Sequence, residues 1–511
     1  MSQTAVPPKT SLPDPRRWKA LIFIALAQLM VVLDGTIVNI ALPSAQADLG
    51  ISDGNRQWVI TAYALAFGGL LLFGGRIADL WGRRRTFIVG LIGFAVASAI
   101  GGLAANTGLL LGARALQGVF GALLAPSALS LLAVMFTDGK ERAKAFGIFG
   151  AIAGGGGAVG LILGGVLTEY MNWRWTFFVN IPFAVVAALG AIAVISEPAG
   201  GRNRSPMDVP GVVLSSLGLG SLVYAFTRAE SDGWTSGVTL GLFAAAVVLL
   251  ASFVFVESRV AAPLLPLRVV TDRRRGGIYL SLGLAVIAMF GMFLFITYYL
   301  QVVKDYSPVV TGLAFLPMIA GMITGSTQIG ARLMTRVPPR LLMGPGFLTA
   351  GIGMLMLTQL EVGSSYVGLI MPAQLLLGLG MGTAFMPAMS MATQGVQARD
   401  AGVASAMVNT SQQVGGAIGT ALLNTVAASA TTAYATSHAG RAAEQLKLEA
   451  MVHGYATAIW WAVGILALAS LIAFTFVNGG HGGSTVVTSG DKDAATGEDA
   501  TDELAIPVLA H

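Results

Sequence analysis

The sequence predicts an all-α protein that crosses a lipid bilayer many times, as two six-helix bundles with two helices inserted between them. Three observations carry that expectation. The 511 residues are 55% hydrophobic and only 11% charged, with a mean hydropathy of +0.75, whereas soluble domains carry about 25% charged residues. The apolar residues gather into runs near the length of about 20 that a helix needs to span hydrocarbon, where a backbone must satisfy its own polar groups. Glycine and proline signatures also recur at a nearly constant offset, the mark of a duplicated bundle.

In chain order the runs are 18–43, 57–78, 86–105, 109–135, 142–168, 175–195, 208–227, 236–256, 276–301, 309–334, 340–359, 365–391, 401–427 and 454–477. The seventh and eighth are weakest, so twelve helices is the alternative count. With the N-terminus inside, the cytoplasmic segments hold 22 of the 30 Lys and Arg residues and the outer loops hold 6, the asymmetry of the positive-inside rule. The net charge of +5 therefore speaks of anionic lipid at the cytoplasmic surface rather than of nucleic acid. Residues 1–17 form a polar, Pro-rich cytoplasmic segment with no removable signal peptide. Residues 18–195 form the first bundle, 208–256 the insert, 276–477 the second bundle, and 478–511 an acidic tail expected to be disordered. Residues 428–452 read as a longer outer loop with a short amphipathic helix around Arg441–Glu449.

The repeats relate the bundles. Gly75-Arg76 ends helix 2 and Gly330-Ala331-Arg332 ends helix 10. Gly160-x3-Gly164 in helix 5 is matched by Gly415-x3-Gly419 in helix 13, and Gly121-x4-Pro126 in helix 4 by Gly382-x4-Pro387 in helix 12, at offsets of 255 to 261 residues.

These stretches resemble the major facilitator superfamily, and specifically its fourteen-helix drug/proton antiporter branch, the QacA/EmrB type. "LDGTIVNIALP" (33–43) is similar to the branch's helix-1 signature, "GRIADLWGRRR" (75–85) to the loop between helices 2 and 3, "LLGARALQGVFGA" (110–122) to the helix-4 pattern, and "WRWTFFVNIP" (173–182) to the entry into helix 6. The helix-5 motif departs: Gly156-x3-Gly160-Leu161-x2-Gly164-Gly165 has leucine where such antiporters carry proline. Its glycines still permit close helix approach. The resemblance implies a major facilitator fold with both termini cytoplasmic, no enzymatic activity, a cell-membrane location, and a chain that works as a monomer. The further expectation is proton-driven efflux of lipophilic drugs or antibiotics by alternating access, with protons as coupling ion and no other cofactor. Proton-coupled uptake of a nutrient is the alternative, and a membrane receptor or scaffold is the alternative of another class.

Asp34 is the one acid well inside any run, and intramembrane acids are costly and functional by default. Burial disfavours a charged carboxylate, so this position suits a proton carrier; the competing role is structural, hydrogen-bonded to Thr36, Asn39 or Gln28. The second half has no matching acid, since the offset lands on Met289–Phe295. In the family the arginine at the Arg114 position is associated with proton coupling; the alternative is an arginine snorkelling to the outer interface. The resemblance also implies that Asp79, pairing with Arg83 between Gly75 and Gly82, latches the first half to the start of helix 13, whose dipole favours an acid; the alternative is a positive-inside anchor, the role expected of Arg84 and Arg85. Polar and polarizable candidates for the cargo are Gln28, Asn39, Tyr63, Gln117, Tyr298, Phe385, Met386, Met389, Asn409, Gln412 and Gln413, residues that suit a lipophilic cation or a neutral antibiotic. The chain has no cysteine, its four histidines fall outside the helix interiors, and Gly154–Gly157 lacks the Gly-Lys-[Ser/Thr] of a P-loop. Metal-thiolate, hydrolytic and ATP-driven chemistries thus find no motif.

Overall fold

The computed structural model describes residues 15–136, 138–196, 208–260, 263–334, 336–393, 401–439 and 443–477, apart from some side chains within helices. Among these residues there is no strand. The helices are α1 (Arg17–Leu49), α2 (Trp58–Trp81), α3 (Arg83–Gly102), α4 (Thr107–Met135), α5 (Gly139–Tyr170), α6 (Trp175–Val194), α7 (Val209–Asp232), α8 (Gly237–Glu257), α9 (Arg273–Val303), α10 (Pro308–Leu333), α11 (Arg340–Leu357), α12 (Tyr366–Ala392), α13 (Ala401–Ser437) and α14 (Ala443–Phe476). Thirteen have a described stretch long and apolar enough to cross a membrane, and α5 runs for 32 helical residues.

Two elements differ from the expected bounds. Helix α1 continues through Pro43 to Leu49 and stops where Gly50 turns left-handed at φ 62°, a conformation open to glycine. The long outer loop at 428–452 is instead mostly helix, because α13 extends to Ser437 and α14 starts at Ala443. No glycine or proline interrupts residues 420–437, and "AEQLKLEAM" is rich in strong helix formers, so polarity alone does not end these helices. Tyr434 stacks on His438 with ring centroids 4.1 Å apart, at the top of this pair.

Each half is knitted by small residues, as expected where lipid removes the hydrophobic drive between helices. A Cβ on Gly118 would stand 2.5 Å from the Tyr63 carbonyl, so α4 lies directly on α2. In the second half Gly321, Gly325, Gly378 and Gly382 bring the backbones of α10 and α12 together in the same manner. The inserted helices α7 and α8 pack on each other, and α7 lies against the seam of α2 and α13. There Val223 is buried with Ala64, Ala417 and Ala421, and Thr425 donates to the Phe226 carbonyl at 2.9 Å.

Candidate functional site

Asp34 sits midway along α1 with none of its surface exposed, and Arg114 on α4 is 1% exposed. Arg114 Nη1 donates to Asp34 Oδ2 at 2.7 Å and to Gln117 Oε1 at 2.8 Å, while Nε donates to the Val59 carbonyl at 2.8 Å. The other carboxylate oxygen accepts twice at 2.8 Å, from Gln117 Nε2 and from Asn180 Nδ2 on α6. Gln117 also donates to Ser98 Oγ on α3, at 2.8 Å. The guanidinium lies 4.3 Å from the centroid of the Tyr63 ring.

Local structure explains how these groups meet. Asn106 caps α4 by accepting from the Leu109 amide at 2.9 Å, which fixes the start of the helix. Arg114 and Gln117 then share a face as an i, i+3 pair. The glycine motif of α5 controls how closely α1 is held: side chains on Gly156, Gly160 and Gly164 would run into Val32, Thr36 and Ile37. Gly165 points the other way, 2.6 Å (as an added Cβ) from the Pro308 carbonyl at the start of α10. Leu161, where proline was expected, is buried, and its carbonyl lies close beneath Gly312.

The structure thus brings Asp34, Arg114, Gln117 and Tyr63 together and adds Asn180 and Ser98. Arg114 does not reach the outer interface. Thr36 and Asn39 bond to carbonyls of their own helix instead of Asp34, and Gln28 is half-buried elsewhere on α1. The other candidates are dispersed. Gln413 packs its Cβ against Gly68, Gln412 Nε2 is buried without a hydrogen-bond partner, and Asn409 is half-buried on the same helix. Phe385 packs on the core of the second half, while Met386 and Met389 are exposed on α12.

Tyr298 belongs to a different feature, a closure at the outer ends of the helices. Its hydroxyl donates to Gln46 Oε1, and Arg56 lies over its ring at 4.1 Å. Arg56 also donates to Asn424 Oδ1 at 3.2 Å, and Asn424 donates to Gln57 Oε1 at 3.0 Å. The Thr61 and Thr420 hydroxyls meet at 2.6 Å, Gln301 donates to the Ile40 carbonyl at 3.0 Å, and the Val309 amide donates to Glu169 at 2.9 Å. These hydrogen bonds join the two halves toward this end.

Of the expected latch, Gly82 breaks α2 from α3 at φ 110°, Gly75 faces Pro126 at ordinary contact distance, and Arg83 is half-buried with a partner. Arg84 donates to the Ile192 carbonyl at 2.7 Å and so ties the loop to α6. The Asp79 side chain and residues 394–400 ahead of α13 lie outside the described residues, as does the 478–511 tail.

Paired helical bundles with a buried charge cluster and one closed end are the architecture of a membrane transporter. The chain belongs to the Major Facilitator Superfamily, whose family model matches residues 24–420. It is 52% identical over 468 residues to the puromycin resistance protein pur8 of Streptomyces alboniger, covering 91% of this chain and 92% of that one. It is 38% identical to the cephamycin export protein CmcT of Amycolatopsis lactamdurans, covering 83% and 88%, and 36% identical to the tetracenomycin C resistance and export protein of Streptomyces glaucescens, covering 81% and 76%. In fold it is similar to a bacterial homolog of the human lysosomal transporter Spinster, solved in an inward-facing and occupied conformation, with a TM-score of 0.66 at 16% identity over 90% of this chain and 97% of that one. The POT family transporter PepTSo gives 0.65 at 16%, over 91% of this chain and 97% of that one.

Proposed function

We propose that the protein exports small lipophilic antibiotics across the cell membrane in exchange for protons, with Asp34 as the proton carrier. The observation that carries this reading is the Asp34–Arg114 pair, buried at 0% and 1% exposure in a transporter whose relatives are named for antibiotic resistance and export. As a carboxylate, Asp34 holds α1 to α4 through Arg114 and Gln117 and to α6 through Asn180. A proton on Asp34 cancels the ion pair, and Arg114 then keeps the Val59 carbonyl, Gln117 and the Tyr63 face. That change loosens α1 within its own bundle, and α1 also touches the second half through Gln46 and Ile40. Breaking a buried pair costs several kcal/mol, so proton binding and the closure can be coupled through this helix. A charge moving down about 100 mV supplies roughly 2.3 kcal/mol, enough for roughly fifty-fold accumulation of a neutral cargo at one proton per molecule. The closed outer end matches the stage at which cargo is taken from inside.

The test uses energised inside-out vesicles, with a panel of cationic dyes and neutral antibiotics that includes puromycin. Lumenal pH is followed as each compound is added, for wild type and Asp34→Asn at matched expression. Proton efflux on addition of a substrate, present in wild type and absent in the variant, supports the assignment. Efflux retained in the variant moves the proton site elsewhere, and no response to any compound removes the antiport reading in favour of coupled uptake.

A further inference from the structure

At the cytoplasmic base of the inserted hairpin, Asp208 immediately precedes α7 and Glu257 ends α8. Both acids are buried, at 5% and 3% exposure, far from Asp34 in the sequence and on helices outside its cluster. One oxygen of each has a defined task. Asp208 Oδ1 accepts from the Gly211 amide at 2.9 Å and caps α7. Glu257 Oε2 accepts from the Leu265 amide at 2.9 Å and fixes the segment leading to α9.

The remaining oxygens, Asp208 Oδ2 and Glu257 Oε1, are buried with no hydrogen-bond partner. They converge on one spot. A Cβ on Gly211 would collide with Asp208 Oδ2 and would stand 2.6 Å from Glu257 Oε1. Of the neighbouring elements, α2 carries Arg76 and Asp79, the connection from α8 carries Arg259, Arg268 and Asp272, and α9 begins with Arg273, Arg274 and Arg275. Among the described residues no ion pair joins either acid to a cation; Arg259 lies instead over the Phe255 ring at 4.9 Å. Two carboxylates here would set two bare acceptors of like charge against each other away from water, which is costly. One proton between them turns two unpartnered acceptors into a donor and an acceptor, the arrangement that lets paired acids share a site.

We propose that Asp208 and Glu257 together bind one proton, forming a second protonation site that clasps the base of the α7–α8 hairpin and the segment leading to α9. The site is closed as an acid–carboxylate pair and opens by charge repulsion when the proton leaves. Because the folded protein then holds a proton that the unfolded chain releases above the ordinary carboxyl range, this site makes stability fall as pH rises. Either single amide substitution keeps a hydrogen bond across the pair without needing the proton, so it removes this slope.

The experiment measures thermal unfolding of full-length protein in lipid nanodiscs from about pH 5 to about pH 9, for wild type, Asp208→Asn, Glu257→Gln and, as a control for the other buried acid, Asp34→Asn. The expected result is a decline in Tm with pH in wild type and Asp34→Asn that is flattened in Asp208→Asn and Glu257→Gln. Equal slopes in all four proteins would overturn the proposal. So would a wild type stabilised at high pH by sodium or calcium, which would make the ligand a metal ion. Labelling by a hydrophobic carbodiimide, which attacks protonated buried carboxyls, gives a readout independent of folding. Mass spectrometry should find Asp208 or Glu257 of the wild type modified at about pH 6 and at least about tenfold less at about pH 9. Absence of label at both pH values would also overturn it.

Discussion

In the first half of the transporter, the buried charges of Asp34 and Arg114 are bound on several sides by Gln117, Asn180 and the Val59 carbonyl. The second half repeats the helix crossing but not the chemistry. Gln374 on α12 follows Arg114 by 260 residues, as Gly378 follows Gly118, and each glycine presses its helix onto the partner crossing it, α10 or α2. Gln374 is as deeply buried as Arg114, yet neither end of its amide has a partner. The stretch Met289–Phe295, which answers to Asp34 in the second half, holds no acid, and Met292, Leu294 and Phe295 in it are buried. Duplication thus kept the small residues that set the helix crossings, while the charged network stands in one copy.

Breaking that contrast most severely means stranding a charge. Arg114→Ala should abolish transport and cost about 3–5 kcal/mol, because Asp34 is left buried without its cation. Adding Asp34→Asn should restore much of the lost stability but no transport, and unfolding of the four proteins in a double-mutant cycle measures the coupling. Next in size is the packing of α1. Gly160→Ala forces a methyl group onto the Thr36 hydroxyl, at a cost of about 1–3 kcal/mol. Gly35→Ala, with open space around it, should be neutral or gain up to about 1 kcal/mol; equally small effects at both sites would show that α1 is not tightly held at Gly160.

The seam between the halves gives a smaller effect. Arg56→Ala removes the cation over Tyr298 and the bond to Asn424, and a loss of about 1.4 kcal/mol shifts the open population about tenfold. The natural chain has no cysteine, so Thr420→Cys provides a single reporter. An impermeant maleimide added from outside should label it faster when Arg56 is replaced. Unchanged labelling would mean that the remaining bonds suffice to hold the outer end. The smallest change is expected in the second half: Gln374→Met should leave transport intact and be neutral or stabilising by about 1 kcal/mol, because it removes an unpartnered buried amide. A large loss of transport without loss of stability would instead give Gln374 a role in handling cargo.

Much of the central cluster was legible in the sequence because a charge in an apolar run is conspicuous. Asp34 and Arg114 stand out for that reason, and Gln117 sits one helical turn beyond Arg114. Asn180 was hidden at the head of an apolar segment, where asparagine is common as a cap. Ser98 was hidden because serine is unremarkable in a membrane helix. Arg56 read as one more basic residue of an outer loop, whereas the fold buries it between Asn424 and Tyr298. Tyr298 carried a reading as a cargo contact and stands in the outer closure. The extension of α13 and α14 past the apolar runs was missed because hydropathy measures the membrane, while helix length also follows propensity and the absence of breakers.

The sequence by itself determined the membrane class, the order of the helices, the duplication, and the isolation of a single acid in the first half. These follow from composition, spacing and the cost of charge in lipid, all of which are properties of the chain read locally. Only the tertiary structure decided which groups answer that charge, which end of the transporter is closed, and that Asp208 and Glu257 meet. Those depend on contacts between helices far apart in sequence, where a single missing Cβ, as at Gly118 or Gly211, decides which polar atoms can approach.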